Sequence, residues 1–136
     1  LNTKLKNVKI ISGSWDSKEI KDSDLREIYK SSRLSIIPLK ESSQPSGQSV
    51  ALQSMSLGVP VIISKTKGFW DKDIFINNQD LILVSDNSIE GWIKKIEENF
   101  REDKKLKLLV KNSKEKIKEH FNLEVFNKNL DKYIKV

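Results

Sequence analysis

Four short apolar runs that barely alternate with polar residues constrain this chain most: Val8 to Ile11, Leu34 to Pro38, Pro60 to Ile63 and Leu81 to Val84. A strand with one wet face alternates, because successive side chains point to opposite sides of a sheet. Short, nearly continuous runs instead fit strands covered on both faces, as in a parallel sheet flanked by helices.

Helical periodicity fills the intervals. Leu25, Ile28, Tyr29 and Ser32 recur on one helical face, and Asp24 followed by Glu27 offers a capping-box start. Val50, Ala51, Met55 and Leu57 mark a second helix that stops at Gly58, with Pro60 just beyond. Ile89, Trp92, Ile93, Ile96 and Phe100 form the clearest stripe, behind Ser88 as N-cap, and Trp92 belongs to that core stripe rather than to a ligand. Leu106, Leu109, Val110, Ile117 and Phe121 give a fourth helix. Leu123, Phe126, Leu130, Tyr133 and Ile134 give a fifth, entered through Asn122.

This order predicts an α/β fold: a single Rossmann-like, doubly wound parallel sheet over residues 1–136, with C-terminal helices in 101–136 and Leu34 to Pro38 at the sheet's centre. Ligands of such sheets sit beyond the carboxyl ends of the strands. Those ends fall at Gly13-Ser14-Trp15, at residues 39–49, at residues 64–71 and at Ser85-Asp86. Residues 64–80 lack a clear period, and such a stretch beside strand ends is a candidate functional loop.

Composition narrows the chemistry. Cysteine is absent and His120 is the only histidine, so a disulfide framework, a thiolate site and a multi-histidine site are all excluded, and no metal is expected. His120 sits near the end of the fourth helix, where it suits capping. No apolar run reaches the length of a bilayer span, and Leu1-Asn2-Thr3-Lys4 opens no signal-peptide core. The first residue is not Met, and the only Met is Met55, so the chain reads as a fragment of something longer. Net charge is +6, and residues 101–136 carry 11 Lys/Arg against 6 Asp/Glu. That tail is either a solvated helix face or a surface for anionic lipid or nucleotide phosphate. Nucleic acid is not expected, because neither interleaved aromatics nor a known motif accompanies the charge. The expected location is the cytoplasm, with peripheral contact at an anionic membrane as one partner.

The informative stretch runs from Ile36 to Ile62: a strand, a polar loop with one glycine, then a helix. The first turn of that helix leaves N–H groups unpaired at the positive end of its dipole, and a small-residue loop lets a phosphate approach them. Ser46, Gly47, Gln48 and Ser49 are the candidates. Ser49, Gln53 and Ser56 share one uncharged polar face, which suits either ribose hydroxyls or tight packing by small residues.

Leu52-Gln53-Ser54-Met55-Ser56-Leu57-Gly58-Val59-Pro60-Val61-Ile62 resembles the second half of a signature of the retaining family 4 (group 1) glycosyltransferases of GT-B fold. That signature reads apolar strand, Pro-Ser, a Glu-Gly-Phe-Gly loop, then Leu-Glu-Ala-Met-Ala-x-Gly-x-Pro-Val-Ile. The similarity continues through a loop with Gly68, a strand near Leu83 and a Phe-Asn-Leu-Glu entry to the last helix. It implies the C-terminal, sugar-nucleotide-binding half of such an enzyme. The implied chemistry is glycosyl transfer with retention, in polysaccharide biosynthesis, from a nucleotide-diphosphate sugar. The donor is a substrate, and the resemblance implies neither cofactor nor metal. The acceptor would be held mainly by a missing N-terminal domain, so the fragment alone would be inactive.

The family spaces two glutamates eight positions apart. The later one, which holds ribose hydroxyls, is Gln53 here, and the earlier one falls at Pro45 by simple counting. The loop after Pro38 is a few residues longer than the family pattern. Either Glu41 takes the earlier, catalytic position from a shifted loop, or that role is vacant. Gly13 and Trp15 follow the first strand end, where the indole either stacks on a base or packs half-buried. Gly68 and Phe69, with Trp70 and Asp71, lie where the family's sugar- or acceptor-facing loop would be, and loop packing is their alternative. Lys65 or Lys67 could neutralise a diphosphate, although the family's usual basic residue lies upstream. The altered glutamate pair supports a second class, a non-catalytic binding or assembly module that kept the fold. A receiver-type signalling domain is disfavoured, because the first strand ends in Ser12-Gly13-Ser14 rather than in an acidic cluster.

Overall fold

The computed structural model describes residues 20–134. The run Val8 to Ile11, and with it Gly13 and Trp15, lies outside the described residues. The elements are α1 (Asp22–Ser31), β1 (Ser35–Ile37), α2 (Gln48–Ser56), β2 (Val61–Ser64), β3 (Ile82–Val84), α3 (Ile89–Phe100), α4 (Asp103–His120) and α5 (Leu123–Leu130). The strands form a parallel sheet in the order β1-β2-β3, with Ile36 opposite Ile62 and Ile63 opposite Leu83.

Every residue of β2 is buried, as its unbroken apolar run requires. Its side chains alternate between two cores. Val61 and Ile63 join Ile37, Ala51, Met55, Trp70, Phe75 and Leu81 on one face, with Ile117 and Phe121 packed against them. Ile62 joins Ile82, Val84, Leu106 and Leu109 on the other, with Trp92 and Ile96 against them. Helices α2 and α3 thus cover opposite faces, and α4 lends its first half to one core and its last residues to the other. Met55 is completely buried, and truncating such a side chain to alanine costs about 2–5 kcal/mol.

The stop of α2 explains the Gly-x-Pro spacing. The Gly58 N–H donates to Met55 O at 3.0 Å, and the Val59 N–H to Ser54 O at 2.9 Å. These are the paired bonds of a Schellman cap, and they need a left-handed residue at Gly58, whose φ is +81°. Pro60 then leads into β2, and its carbonyl accepts from the Ser35 N–H at 2.9 Å.

Among the described residues β2 lies between β1 and β3, and Ile36 is exposed on β1. The expected strand Val8 to Ile11 lies outside the described residues, and with it the neighbour that would make Leu34 to Pro38 central. Three helix expectations are corrected. Helix α1 begins at Asp22, before Asp24, with Lys21 as a cap that makes no side-chain bond. The apolar stripe of α3 is wider than its packed face: Trp92 and Ile96 meet the core, whereas Ile89, Ile93 and Phe100 are exposed. Helix α5 is entered through Asn122, whose side chain accepts from the Val125 N–H at 2.9 Å, yet Leu123 and Phe126 are exposed.

Candidate functional site

The carboxyl ends of β1 and β2 carry the loop at 38–47 and the N-terminus of α2. Gly47 makes the turn from one to the other with φ +71°, a conformation in which a Cβ is strained. A Cβ there would also lie 3.1 Å from Ile37 Cγ2 and 3.2 Å from Ile63 Cδ1. The loop therefore presses against the strand ends, and the first turn of α2 opens at the edge of the sheet.

That first turn has no side-chain cap and no acidic residue. The other helices are treated differently. Ser88 and Asn122 cap α3 and α5, and Asp22, Glu90, Asp103 and Glu124 sit in the first turns of α1, α3, α4 and α5. Among the described residues no backbone partner receives the N–H groups of Gln48, Ser49 and Val50. An uncapped helix start carries about half a positive charge and a fan of free donors, which suits a phosphate.

A second loop, 65–71, braces the first. The Gly68 N–H donates to Ser42 O at 2.8 Å, and the Lys67 N–H to Glu41 Oε1 at 2.9 Å. The Trp70 indole N–H reaches Ser46 O at 3.2 Å, and Gln48 Nε2 reaches Asp71 Oδ2 at 3.3 Å. Gly68 is buried, and a Cβ on it would stand 2.4 Å from Gln44 O, so only glycine allows the two loops to close. Asp71 holds a left-handed φ of +47°.

The sequence candidates fall into two groups. Glu41, Ser46, Gly47, Gln48, Gly68 and Phe69 come together where the two loops meet, with Ser49 exposed one step along α2. Glu41 spends one carboxylate oxygen on the Lys67 amide. Phe69 is half-buried and stacks on Trp70 with centroids 5.3 Å apart, and Trp70 is only 5% exposed. Lys65 and Lys67 are exposed on the same loop. Gln53 and Ser56 lie further along α2, in a groove of about 400 Å³ that α1 closes with Asp22, Leu25, Arg26 and Tyr29. His120 is the last residue of α4, half-exposed, with Nε2 3.8 Å from a Glu119 carboxylate oxygen. Among the described residues no three acidic or histidine side chains gather as a metal site would require.

Sequence reading missed Ser64 and Asn87. Ser64 ends β2, fully buried, and Asn87 follows β3; together they grip Leu39 at the root of the first loop. Beside them, hydrogen bonds from the Ser88 side chain and amide hold the Asp86 carboxyl below its ordinary range. Ser64 has no distinguishing signal, since Ser12 and Ser85 also follow apolar runs directly. Asn87 has none either.

The family model described as Glycosyl transferases group 1 matches residues 17–116, well over half of the chain. Comparison with the curated proteins gave no match.

Proposed function

The chain belongs to the group 1 glycosyltransferases, and we propose that it is the half of such an enzyme that binds a nucleotide-diphosphate sugar for transfer with retention of configuration. The observation that carries this reading is the uncapped start of α2 at the carboxyl edge of the sheet. Donors there are fixed before the substrate arrives. As the glycosyl–oxygen bond breaks, charge grows on the departing diphosphate, and preorganised N–H groups stabilise that charge more than they stabilise the bound donor. Lys65 and Lys67 add mobile positive charge at the same edge.

Gln53 takes the ribose in this reading. Its amide offers both a donor and an acceptor to a diol, one turn beyond Ser49 on the exposed face of α2. In this reading Glu41 takes the role of the family's earlier glutamate from a shifted loop, and its bond to the Lys67 amide holds its carboxylate at the meeting of the two loops. The sugar nucleotide is a substrate, and the reading uses neither metal nor cofactor. The acceptor belongs to an N-terminal domain of the same protein, so residues 1–136 alone bind donor without turning it over.

Peripheral contact with an anionic membrane completes the proposal. Lys104, Lys107, Lys111, Lys114 and Lys118 recur along one exposed face of α4, and no ion pair to them occurs among the described residues. No helix among the described residues is long and apolar enough to cross a membrane.

The test is transfer itself. The full-length protein is incubated with UDP-, GDP- and ADP-sugars and an acceptor extract, and release of nucleoside diphosphate is followed together with the anomeric coupling of the product by NMR. Release with retained configuration supports the reading. Tight binding of a nucleoside diphosphate with no transfer would favour the rival, a non-catalytic module on the same fold.

A further inference from the structure

Three backbone and side-chain groups far apart in sequence close a ring at the carboxyl edge of the sheet. The Leu39 N–H donates to Ser64 Oγ at 2.8 Å. The Ser64 hydroxyl donates to Asn87 Oδ1 at 2.8 Å. Asn87 Nδ2 donates back to Leu39 O at 2.7 Å. The orientation of the Asn87 amide follows from a fourth bond: the Trp92 indole can only donate, and it reaches Asn87 Oδ1 at 2.8 Å, so oxygen must stand there and nitrogen must face Leu39. The ring thus joins the root of the first loop, the last residue of β2 and the turn after β3, with α3 holding its corner.

We propose that Ser64 and Asn87 are positioning residues for the diphosphate site, acting through Leu39. This rests on the donor-site reading given above. The mechanical path is short. Both polar groups of the Leu39 backbone are held by the ring, so its side chain has a fixed origin. That side chain lies beneath Gly47, where an added Cβ would be 3.2 Å from Leu39 Cδ1. Gly47 in turn starts α2, whose free N–H groups face the ligand. Ser64 has no other reason to be polar: it is 1% exposed on a strand whose remaining residues are all apolar. A valine or alanine there would pack without a hydroxyl to satisfy, but would leave the Leu39 N–H without a partner. Neither residue touches the substrate in this account.

Two substitutions separate positioning from mere stability. Asn87→Asp keeps the acceptor that serves Trp92 and Ser64 but removes the donor to Leu39 O. Ser64→Ala removes the other two bonds of the ring, to the Leu39 N–H and to Asn87 Oδ1, and Ser64→Thr restores the hydroxyl. In the full-length protein, calorimetry with UDP, GDP and ADP should show the preferred nucleotide bound about tenfold more weakly by Asn87→Asp and Ser64→Ala, a loss of the order of one hydrogen bond. Ser64→Thr should return to within about threefold of the parent, the spread expected for one weakened bond. Amide exchange in peptides covering residues 40–49 should quicken in the first two variants, while β2 peptides stay protected. The proposal is overturned if Asn87→Asp and Ser64→Ala melt lower yet bind nucleotide as the parent does, with exchange at 40–49 unchanged. If the parent binds none of the three nucleotides, the donor-site reading fails first, and the ring loses its role with it.

Discussion

The indole N–H of Trp70 donates to the carbonyl oxygen of Ser46 across 3.2 Å, while the residue is only 5% exposed and its ring packs against Phe69 and Phe75. One side chain therefore anchors the second loop in the core and holds the first loop from beneath. Trp70→Phe keeps an aromatic ring in the core but cannot reach Ser46. It should lower stability by about 1–2 kcal/mol, the loss of one hydrogen bond plus a small void, and should also weaken nucleotide binding. Urea unfolding with parallel calorimetry checks both effects. Loss of stability with unchanged binding would make Trp70 a core residue only.

Gln53 separates an intact ribose site from a relic. Gln53→Glu should keep or improve sugar-nucleotide affinity, since a carboxylate makes charge-assisted bonds to hydroxyls. Gln53→Leu should weaken it about tenfold, because ribose hydroxyls would lose their partners. Dissociation constants and transfer rates of the three proteins decide. If leucine matches glutamine in both, the groove between α1 and α2 does not hold ribose.

Arg33 joins the corner between α3 and α4. Its Nε donates to Phe100 O at 2.6 Å, its guanidinium lies 5.1 Å from the Phe100 ring centre, and its Nη2 pairs with the Asp103 carboxylate. The hydrogen bond first, and the positive charge second, lower the pKa of Asp103 below its ordinary value. A depressed carboxyl contributes stability that is fully present above the unfolded value of about 3.9 and is lost as pH falls through the folded pKa. Arg33→Gln should therefore raise the Asp103 pKa toward that value and flatten the acid side of the stability profile. Carboxyl-carbon NMR titration reads the first effect and acid-dependent melting the second. An unmoved Asp103 titration would contradict the pairing.

The lysine face of α4 predicts salt-dependent membrane contact. Flotation with phosphatidylglycerol vesicles at low salt should recover the protein, and phosphatidylcholine vesicles should not. Lys107→Glu with Lys111→Glu should abolish recovery. Recovery indifferent to salt or to those changes would point away from the α4 surface, and binding to nucleic acid instead of vesicles would overturn the membrane assignment.

Much of the scaffold is legible in the residues because its signals are local. Gly58 and Pro60 lie within four residues of the end of α2, and Asn122 sits directly before α5. What is not legible depends on partners distant in the chain. The spacing of Ile89, Ile93 and Phe100 says that they share a face, but not that this face lies beyond the core. Ser64 and Asn87 acquire meaning only through Leu39, 25 and 48 residues away. Glu41 is an acid in a polar loop by sequence, whereas its hold on the Lys67 amide depends on a second loop 26 residues further along the chain.

The central claim is that the turn at Gly47 and the uncapped start of α2 form a diphosphate site, and Gly47 is where it is most exposed to test. A valine there would be forced into φ +71° with its Cβ already tight against Ile37 and Ile63, moving the helix start off the strand ends. Titration calorimetry of the full-length protein with UDP, GDP and ADP should find one nucleotide that binds, and Gly47→Val, still folded by circular dichroism, should weaken it by more than about tenfold, or about 1.4 kcal/mol. Equal affinity in the folded variant, or no heat from any of the three nucleotides with the parent, would contradict the claim.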